Sequence, residues 1–167
     1  ARNLQEDDIC DYIFDLIDRS GLPADMIILE ITESAMMIDA PRSVEVLEKL
    51  RKRGVLFSVD DFGTGYSSLM YLKQLPITEI KVDRTFVMDM CLDKEDLMIV
   101  HATIEMGHNL GLHVVAEGVE DQKTWDQLRD LGCDIIQGYF LSRPVPKEQL
   151  LEWIAHSEWS TDALTVT

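Results

Sequence analysis

The sequence has little cysteine, and the cysteines it has form no recognisable pattern. Cys10, Cys91 and Cys133 are odd in number, widely spaced and without a CxxC pair. A disulfide framework and a cysteine-based zinc site are therefore not expected. Free thiols are typical of a reducing compartment, so we expect this domain to lie in the cytoplasm. This expectation also holds if the domain belongs to a longer protein that is tethered to a membrane.

Long hydrophobic runs are missing as well. No run approaches the roughly 18 apolar residues that a membrane-spanning helix needs. Residues 1–11 are polar and acidic, whereas a signal peptide begins basic and continues apolar. The sequence therefore predicts no membrane contact by this chain.

Basic residues are scarce relative to acidic ones. The chain has 15 Lys and Arg against 31 Asp and Glu, which gives a formal charge of -16. Such a charge repels a nucleic-acid backbone or an anionic membrane unless cations intervene, so no nucleic-acid polymer is expected as a partner. Most of the carboxylates are explained as a solvated surface, but an anionic substrate would need metal ions.

Patterns of nucleophilic and zinc-dependent enzymes are absent too. The histidines lack the HExxH spacing of a zinc helix, and no Ser or Cys lies in a nucleophile elbow. We interpret the four histidines as structural or surface residues, because no nucleophile is paired with them; they are His101, His108, His113 and His156.

What the sequence does have is a regular alternation of strand and helix patterns. Apolar spacing predicts helices over Asp7–Asp18, Pro41–Gly54, Tyr66–Leu72, Arg84–Asn109 with a break near Leu92, Gln122–Leu131 and Lys147–His156. Short apolar runs predict strands over Met26–Ile31, Val55–Val59, Glu79–Val82, His113–Ala116 and Asp134–Gln137. The first of these strands has the nearly continuous apolar character of a strand buried on both faces. Five strands separated by helices indicate a parallel α/β sheet, with residues 1–156 as one domain and residues 157–167 as a tail or linker.

Polar residues lie at the ends of the predicted strands. They are Glu30, Asp60, Asp61, Lys81, Glu117 and Gln137. In parallel sheets, and above all in (β/α)₈ barrels, the carboxyl ends of the strands assemble the active site, so these side chains are expected to converge. Carboxylates crowded together repel each other unless cations neutralise them, and oxygen ligands suit Mg²⁺, Mn²⁺ or Ca²⁺. The pattern predicts a metal site.

Simpler interpretations exist for single positions. An Asp or Glu that ends a strand is more often a turn former or a helix cap. Capping cannot explain both Asp60 and Asp61, and the glycines that follow allow backbone to approach a ligand. Lys81 is costly to bury in an apolar strand without an anionic neighbour. It either faces the carboxylate cluster or forms a structural ion pair with Asp61 or Glu117.

Five segments resemble successive motifs of the EAL domain family, in the same order. They are Glu30-Ile31-Thr32-Glu33-Ser34, Asp60-Asp61-Phe62-Gly63-Thr64-Gly65-Tyr66-Ser67-Ser68-Leu69, Ile80-Lys81-Val82-Asp83-Arg84, Val115-Ala116-Glu117-Gly118-Val119-Glu120 and Gly132-Cys133-Asp134-Ile135-Ile136-Gln137-Gly138-Tyr139. The resemblance covers Ala1 to Ile154. It implies a TIM-like (β/α) barrel, here a partial barrel of about five βα units. The implied activity is hydrolysis of cyclic di-GMP to the linear dinucleotide in bacterial signalling, with two Mg²⁺ or Mn²⁺ ions.

The resemblance also implies roles for individual residues. Four carboxylates would bind the metal ions, with Asp61 bridging both: Glu30, Asp60, Asp61 and Glu117. Lys81 would position the attacking water or hydroxide, and Asp61 and Glu117 would take part in catalysis. Residues that support the site or line the substrate would be Glu33, which holds the loop after Asp61, Glu120, Gln137, Gly63, Thr64 and Gly65. A homodimer through the segment after Gly65 and the helix after Lys81 is expected, as are companion signalling domains.

The sequence departs from the family pattern in one respect. The Glu-Ala-Leu signature, with its ligating Glu and a nearby phosphate-binding Arg, is absent, as is a ligating Asn. A closed barrel has eight strands in about 250 residues, so three strands are expected to be missing and the chain alone to have little activity. Two alternatives stay open: a non-catalytic module that binds cyclic di-GMP or a protein partner, and an unrelated metal-dependent barrel enzyme such as an enolase-type lyase.

Overall fold

The computed structural model describes residues 4, 6, 8–63, 69–157 and 159. Within these residues the strands are β1 (Ile28–Thr32), β2 (Leu56–Phe62), β3 (Glu79–Val82), β4 (His113–Glu117) and β5 (Ile135–Gln137). The helices are α1 (Ile9–Ser20), α2 (Glu33–Met37), α3 (Ala40–Lys52), α4 (Leu69–Leu72), α5 (Arg84–Asp89), α6 (Lys94–Asn109), α7 (Gln122–Asp130) and α8 (Lys147–His156), and a 3₁₀ turn, Ala24–Met26, precedes β1.

The strands form one parallel sheet whose spatial order is the order of the chain, β1-β2-β3-β4-β5. At least one helix lies between each strand and the next along the chain. An open doubly wound sheet contains a point at which the strand order reverses, whereas a barrel adds each strand beside the previous one. The predicted partial barrel of five βα units is confirmed.

The hydrophobic core lies between the sheet and its helices. The buried strand residues include Ile31, Phe57, Val59, Ile80, Val82, Val114 and Ala116, and the buried helical residues include Val46, Leu47, Leu50, Val100, Ile104 and Leu128. On each strand the core residues recur at every second position, since side chains alternate between the two faces of a sheet. One face of the sheet therefore holds the helices, and the opposite face carries Ser58, Lys81 and Val115, which are buried as well.

Aspartate side chains begin four of the helices. Asp39, Asp83, Asp93 and Asp121 each accept a backbone N–H in the first turn of α3, α5, α6 and α7, respectively. Such caps satisfy N–H groups that have no partner inside the helix. Capping thus accounts for part of the acidic surplus of the chain.

Most predicted elements are confirmed, with shifts at their ends. Strand β3 and helix α8 have the predicted bounds, and the long helical region breaks between Asp89 and Lys94, as expected near Leu92. Helix α2 was not predicted, because five residues are too few for helical periodicity to show. Of the predicted helix at 66–72, residues 66–68 lie outside the described residues.

Two predictions about the strands are wrong. Strand β2 continues to Phe62 rather than ending at Val59, so the paired aspartates lie inside the strand. Strand β1 is not buried on both faces, since Ile28 is 46% exposed. Within the described part of the chain β1 is an edge of the sheet, and an edge strand lacks one neighbour that would cover it.

The cysteines and the helices show two further features. Cys10, Cys91 and Cys133 are free thiols. None of the helices in the described ranges is long and apolar enough to cross a membrane.

Most of the predicted tail, 157–167, lies outside the described residues. The centroid of the Trp159 ring lies 5.6 Å from the ring centroids of Trp125 and Phe140, so Trp159 packs against the domain.

The loops that follow β4 and β5 approach each other closely at Gly138. Phe140 N donates to Val119 O at 2.9 Å, and Val119 N donates to Gln137 O at 3.2 Å. A Cβ atom on Gly138 would lie 2.0 Å from Val119 O and 2.4 Å from Val119 N. These are backbone atoms, so a side chain at Gly138 would break the hydrogen bonds that join the two loops.

We expect Gly138→Ala to lower the free energy of unfolding by about 3 kcal/mol, the upper part of the usual range for overpacking. Gly132→Ala is the matched control, because its Cβ atom would meet nothing within 4 Å and only its φ of +77° is unfavourable. For the control we expect a loss of about 1 kcal/mol. Urea unfolding followed by circular dichroism measures both variants, and equal losses would show that the contact between the loops is not tight.

Candidate functional site

The carboxyl ends of four strands meet at the ammonium group of Lys81. Its side chain, on β3, is 5% exposed, and Nζ lies 2.8 Å from Glu30 Oε1 on β1. Nζ lies 3.3 Å from Asp60 Oδ1 on β2 and 2.5 Å from Glu117 Oε1 on β4. We refer to Lys81, Glu30, Asp60 and Glu117 as the Lys81 cluster. The convergence expected from the positions at the strand ends is observed.

The register of the sheet explains this convergence. Val59 and Ile80 are register partners on β2 and β3, and both point into the helix-covered core. Asp60 and Lys81 follow them by one position, so they are neighbours on the opposite face. The other members of the cluster follow the same alternation on their own strands.

The charges in the cluster do not balance. Burial alone would lower the pKa of Lys81, but its hydrogen bonds to Glu117 and Glu30 raise it well above the usual value, so the ammonium stays charged. Three carboxylates contact this one cation. Asp60 Oδ1 is buried and lies within ion-pair distance of Nζ, yet among the described residues it has no partner with hydrogen-bond geometry. The cluster therefore has a negative excess and a carboxylate oxygen that is incompletely satisfied.

Asp61 lies beside the cluster in an unusual backbone conformation. Its φ of 56° makes it the one non-glycine residue with positive φ in the described ranges; Asp tolerates this region better than most residues. The carboxyl groups of Asp61 and Asp83 are hydrogen bonded to each other, and burial, together with the charges of Asp60 and Asp83, raises the pKa of Asp61. The charged form of Asp61 is thus disfavoured by its surroundings, and a nearby cation would favour it.

Asp83 is the site residue that the sequence analysis missed. It begins α5 by accepting Thr85 N at 2.8 Å, and a cap is the ordinary interpretation of an Asp at that position. Its position two residues after Lys81 in the strand-end pattern was the available signal. Only the tertiary structure shows that it also contacts Asp61.

Two other predicted residues lie at or near this edge of the sheet. Gln137 is the register partner of Glu117 on the edge strand β5, so the two lie side by side. Glu33, the first residue of α2, is 5% exposed, and its Oε2 has no hydrogen-bond partner within the described residues. A buried carboxylate oxygen of this kind normally has a partner.

The remaining predicted residues are less closely connected to the cluster. Gly63 follows β2 with a φ of +98°, and an added Cβ would lie 3.2 Å from the Phe86 ring. Glu120 is exposed, and within the described residues no hydrogen bond or ion pair of its side chain is seen. Thr64 and Gly65 lie outside the described residues.

The chemistry of the donor set fits a hard divalent cation. Glu30, Asp60, Asp61 and Glu117 offer carboxylate oxygens, which Mg²⁺, Mn²⁺ and Ca²⁺ prefer. Asp60 Oδ1, which accepts no hydrogen bond from the described residues, is available as a ligand. In the conformation described, however, Lys81 lies between the carboxylates. No three His, Cys, Asp or Glu side chains of the described residues surround a common point as metal ligands. Binding of a cation would require these carboxylates to turn away from Lys81.

Comparison with known proteins identifies relatives of most of the chain. The sequence profile of the EAL domain matches residues 1–144. The bifunctional diguanylate cyclase/cyclic di-GMP phosphodiesterase MucR of Pseudomonas aeruginosa is 46% identical over 147 residues, which are 88% of this chain and 22% of MucR. The cyclic di-GMP phosphodiesterase NbdA of the same species is 44% identical over 154 residues, 92% of this chain and 20% of NbdA. The chain thus spans about a fifth of the length of these relatives.

Several solved structures are similar to this chain in both sequence and fold. The PaMucR phosphodiesterase in complex with c-di-GMP superimposes with a TM-score of 0.86 at 44% identity, covering 89% of this chain and 60% of that chain. A manganese/cy-diGMP complex of Klebsiella pneumoniae BlrP1 superimposes with a TM-score of 0.78 at 33% identity, covering 85% of this chain and 36% of that chain. A calcium/cy-diGMP complex of BlrP1 has the same TM-score of 0.78.

We expect Lys81→Met to lower the free energy of unfolding by about 2 kcal/mol in metal-free buffer at neutral pH, the scale of a hydrogen bond to a charged group, because three partly exposed carboxylates lose their shared counter-ion. The pKa of Lys81 is raised by folding, so its contribution is fully present below its unfolded pKa of about 10.4. It is lost only as the pH rises through the still higher folded value. Titration of Lys81 should therefore not change the free energy of unfolding of the wild type near pH 7.

Lys49→Met is the matched control, because Lys49 Nζ lies 2.8 Å from Glu45 Oε1 with both side chains 53% exposed. Exposed pairs are screened by solvent, so this change should have a much smaller effect. Urea unfolding of both variants is the measurement. A loss for Lys81→Met no larger than that for Lys49→Met would show that the cluster does not need the ammonium.

Proposed function

The chain belongs to the EAL domain family, and from this premise we propose that it forms the catalytic mouth of a metal-dependent phosphodiesterase that opens cyclic di-GMP to the linear dinucleotide. The observation that supports this most strongly is the Lys81 cluster, in which three carboxylates from separate strands surround one ammonium group. MucR and NbdA carry the phosphodiesterase activity in their names. The enolase-type alternative has no support from the relatives.

We assign Glu30, Asp60, Asp61 and Glu117 as ligands of divalent cations. When bound, two such ions neutralise the phosphate and make a hydroxide available near neutral pH. The acidic mouth repels a substrate with two phosphates, so these carboxylates need a cation before they can accept it. We propose Mg²⁺ or Mn²⁺, two ions in the complete site, and the manganese and calcium complexes of BlrP1 support a divalent ion.

Lys81 acts as a hydrogen-bond donor in this proposal. In the conformation described, burial alone would lower the pKa of Lys81, but hydrogen bonds to Glu117 and Glu30 raise it, so the side chain is protonated and suited to donate. An ammonium group has three N–H donors. Lys81 can therefore donate to an attacking water or to a phosphate oxygen once the carboxylates of Glu30 and Glu117 turn to a cation.

Other residues are proposed to border the site. Gln137 is proposed to contact the substrate, because the register of β5 places it beside Glu117. Glu33 is proposed to hold the loop after Asp61, and its unpartnered buried oxygen supports this role. For Glu120 and the residues Gly63, Thr64 and Gly65 the role stays a prediction from the family resemblance.

Companion domains and a dimer are part of the proposal. The chain spans 22% of MucR and 20% of NbdA, which supports further signalling domains in the protein to which it belongs. A homodimer stays a prediction from the resemblance. It is supported by apolar residues after Lys81 that face solvent, Met88 at 48%, Leu92 at 84% and Met98 at 71% exposure. The cytoplasmic location stays a prediction.

The test is hydrolysis of cyclic di-GMP with Mg²⁺ or Mn²⁺, measured on this chain and on the full-length protein that its gene encodes. We expect hydrolysis to stop on chelation, and Asp60→Asn or Asp61→Asn to lower kcat at least about 100-fold, the scale on which a lost electrostatic group acts in catalysis. We expect the chain alone to be slower than the full-length protein, because its described sheet has five strands and a closed barrel has eight.

Glu45→Gln is the control for these substitutions. Glu45 is 53% exposed on α3 and is not part of the Lys81 cluster, so we expect Glu45→Gln to keep kcat within about twofold of wild type. Full activity of Asp60→Asn would refute the assigned ligands. If this chain and the full-length protein both bind the nucleotide and neither hydrolyses it, the domain is a cyclic di-GMP binding module and not an enzyme.

A further inference from the structure

Strand β5 has few interactions that hold it in place. It has three residues and pairs with β4 alone among the described strands, in the register Val115 with Ile135, Ala116 with Ile136 and Glu117 with Gln137. A slip by one residue would turn every β5 side chain to the opposite face of the sheet. Gln137 would then point away from Glu117, so the register needs a further determinant.

The start of the β4–β5 ladder is closed by two side chains. Val114 precedes the first paired residue of β4 and is fully buried. Its N–H donates to Asp134 Oδ2 at 2.8 Å, and its carbonyl accepts the Cys133 thiol at 3.4 Å. A buried backbone group without a partner is costly. The Asp134 side chain, just before β5, thus satisfies the buried N–H of Val114, and the Cys133 thiol is a weak additional donor to the Val114 carbonyl.

Asp134 is also fixed from a third element. His108 Nε2, near the end of α6, lies 2.9 Å from Asp134 Oδ2, and His113 Nδ1 lies 3.9 Å from Oδ1. Burial alone would raise the pKa of Asp134, but Val114 N–H and His108 lower it. The carboxylate therefore stays charged near neutral pH and joins α6, β4 and the beginning of β5.

The other end of β5 is held by the loop contact described above. Val119 N donates to Gln137 O at 3.2 Å, and Gly138 leaves no room for a side chain against Val119. The strand is thus anchored on both sides of its three residues. Asp134 supplies the anchor at the amino end of the sheet, opposite the Lys81 cluster.

We propose that Asp134, held by His108, is a positioning residue: it sets the register in which β5 joins β4 and so keeps Gln137 beside Glu117 at the catalytic mouth. The effect of Asp134 on the register follows from the hydrogen bonds alone, whereas its effect on nucleotide binding rests on the proposed function. The amino end of the strands in a barrel usually contributes to stability only. Here Asp134, at the amino end, affects the position of Gln137 at the carboxyl end of the same sheet.

The experiment compares Asp134→Ala and Asp134→Asn with wild type in the whole chain. Amide hydrogen exchange of individual residues is followed by NMR, and binding of cyclic di-GMP is measured with Mn²⁺ present. We expect Asp134→Ala to speed exchange at Val114 and over Ile135–Gln137 about tenfold or more, the effect of losing one charge-assisted hydrogen bond. Exchange in the β1–β2 ladder should not change, and nucleotide binding should weaken about tenfold.

Asp134→Asn keeps an acceptor for Val114 N–H and loses the charge. We expect it to fold like wild type and to speed exchange about threefold, since a neutral acceptor is weaker than a charged one. Asp130→Ala is the matched control, because Asp130 is 70% exposed on α7. It should leave both the β4–β5 exchange and the binding unchanged.

Three results would overturn the proposal. One is Asp134→Ala with wild-type protection over β5, and another is faster exchange spread equally over all strands, which is a general loss of stability. The third is an open β4–β5 ladder with unchanged nucleotide binding, which would refute the effect on Gln137. Where the full-length protein that contains this chain also binds no nucleotide, the proposed function fails, and the exchange data alone decide whether Asp134 sets the register.

Discussion

The ion pairing of Lys81 with three carboxylates is the interaction on which the acidic edge of the sheet depends. A lysine that is 5% exposed would be costly to bury alone, and carboxylates brought together from separate strands would repel each other. The carboxylates therefore compensate the burial of Lys81, and Lys81 reduces the repulsion between the carboxylates. The compensation is incomplete, because one positive charge faces several negative ones and Asp60 Oδ1 keeps no hydrogen bond. This imbalance is the physical reason for proposing divalent cations at the site.

The two faces of the sheet have different roles: residues on one face form the hydrophobic core, and residues on the other face form the candidate site. Ile80 is buried in the core and the next residue, Lys81, lies in the cluster. Ala116 and Glu117 divide in the same way on β4. Because side chains alternate with a period of two, a three- to seven-residue strand contributes to the core and to the site at once. The register between strands is what aligns these contributions, so residues that set the register affect the site from a distance.

The acidic residues of the chain have distinct physical roles. Asp39 and Asp121 begin helices, and Asp134 closes the ladder between β4 and β5. The carboxylates of the Lys81 cluster form the edge to which the substrate is proposed to bind. Because the formal charge of -16 includes all of these, the composition predicts repulsion of polyanionic partners without locating the site. The geometry separates the solvated charges from those that are crowded together.

The sequence by itself determined the succession of strands and helices, the parallel class of the sheet and the convergence of Glu30, Asp60, Lys81 and Glu117. These follow from apolar periodicity and from the rule that parallel strands point their carboxyl ends the same way. Only the tertiary structure decided the contact between Asp61 and Asp83, the exposure of Ile28 and the anchoring of Val114 by Asp134. Those depend on which segments become neighbours in space. A hydrogen bond between residues distant in the chain leaves no periodic pattern along it, so the sequence contains no local record of such contacts.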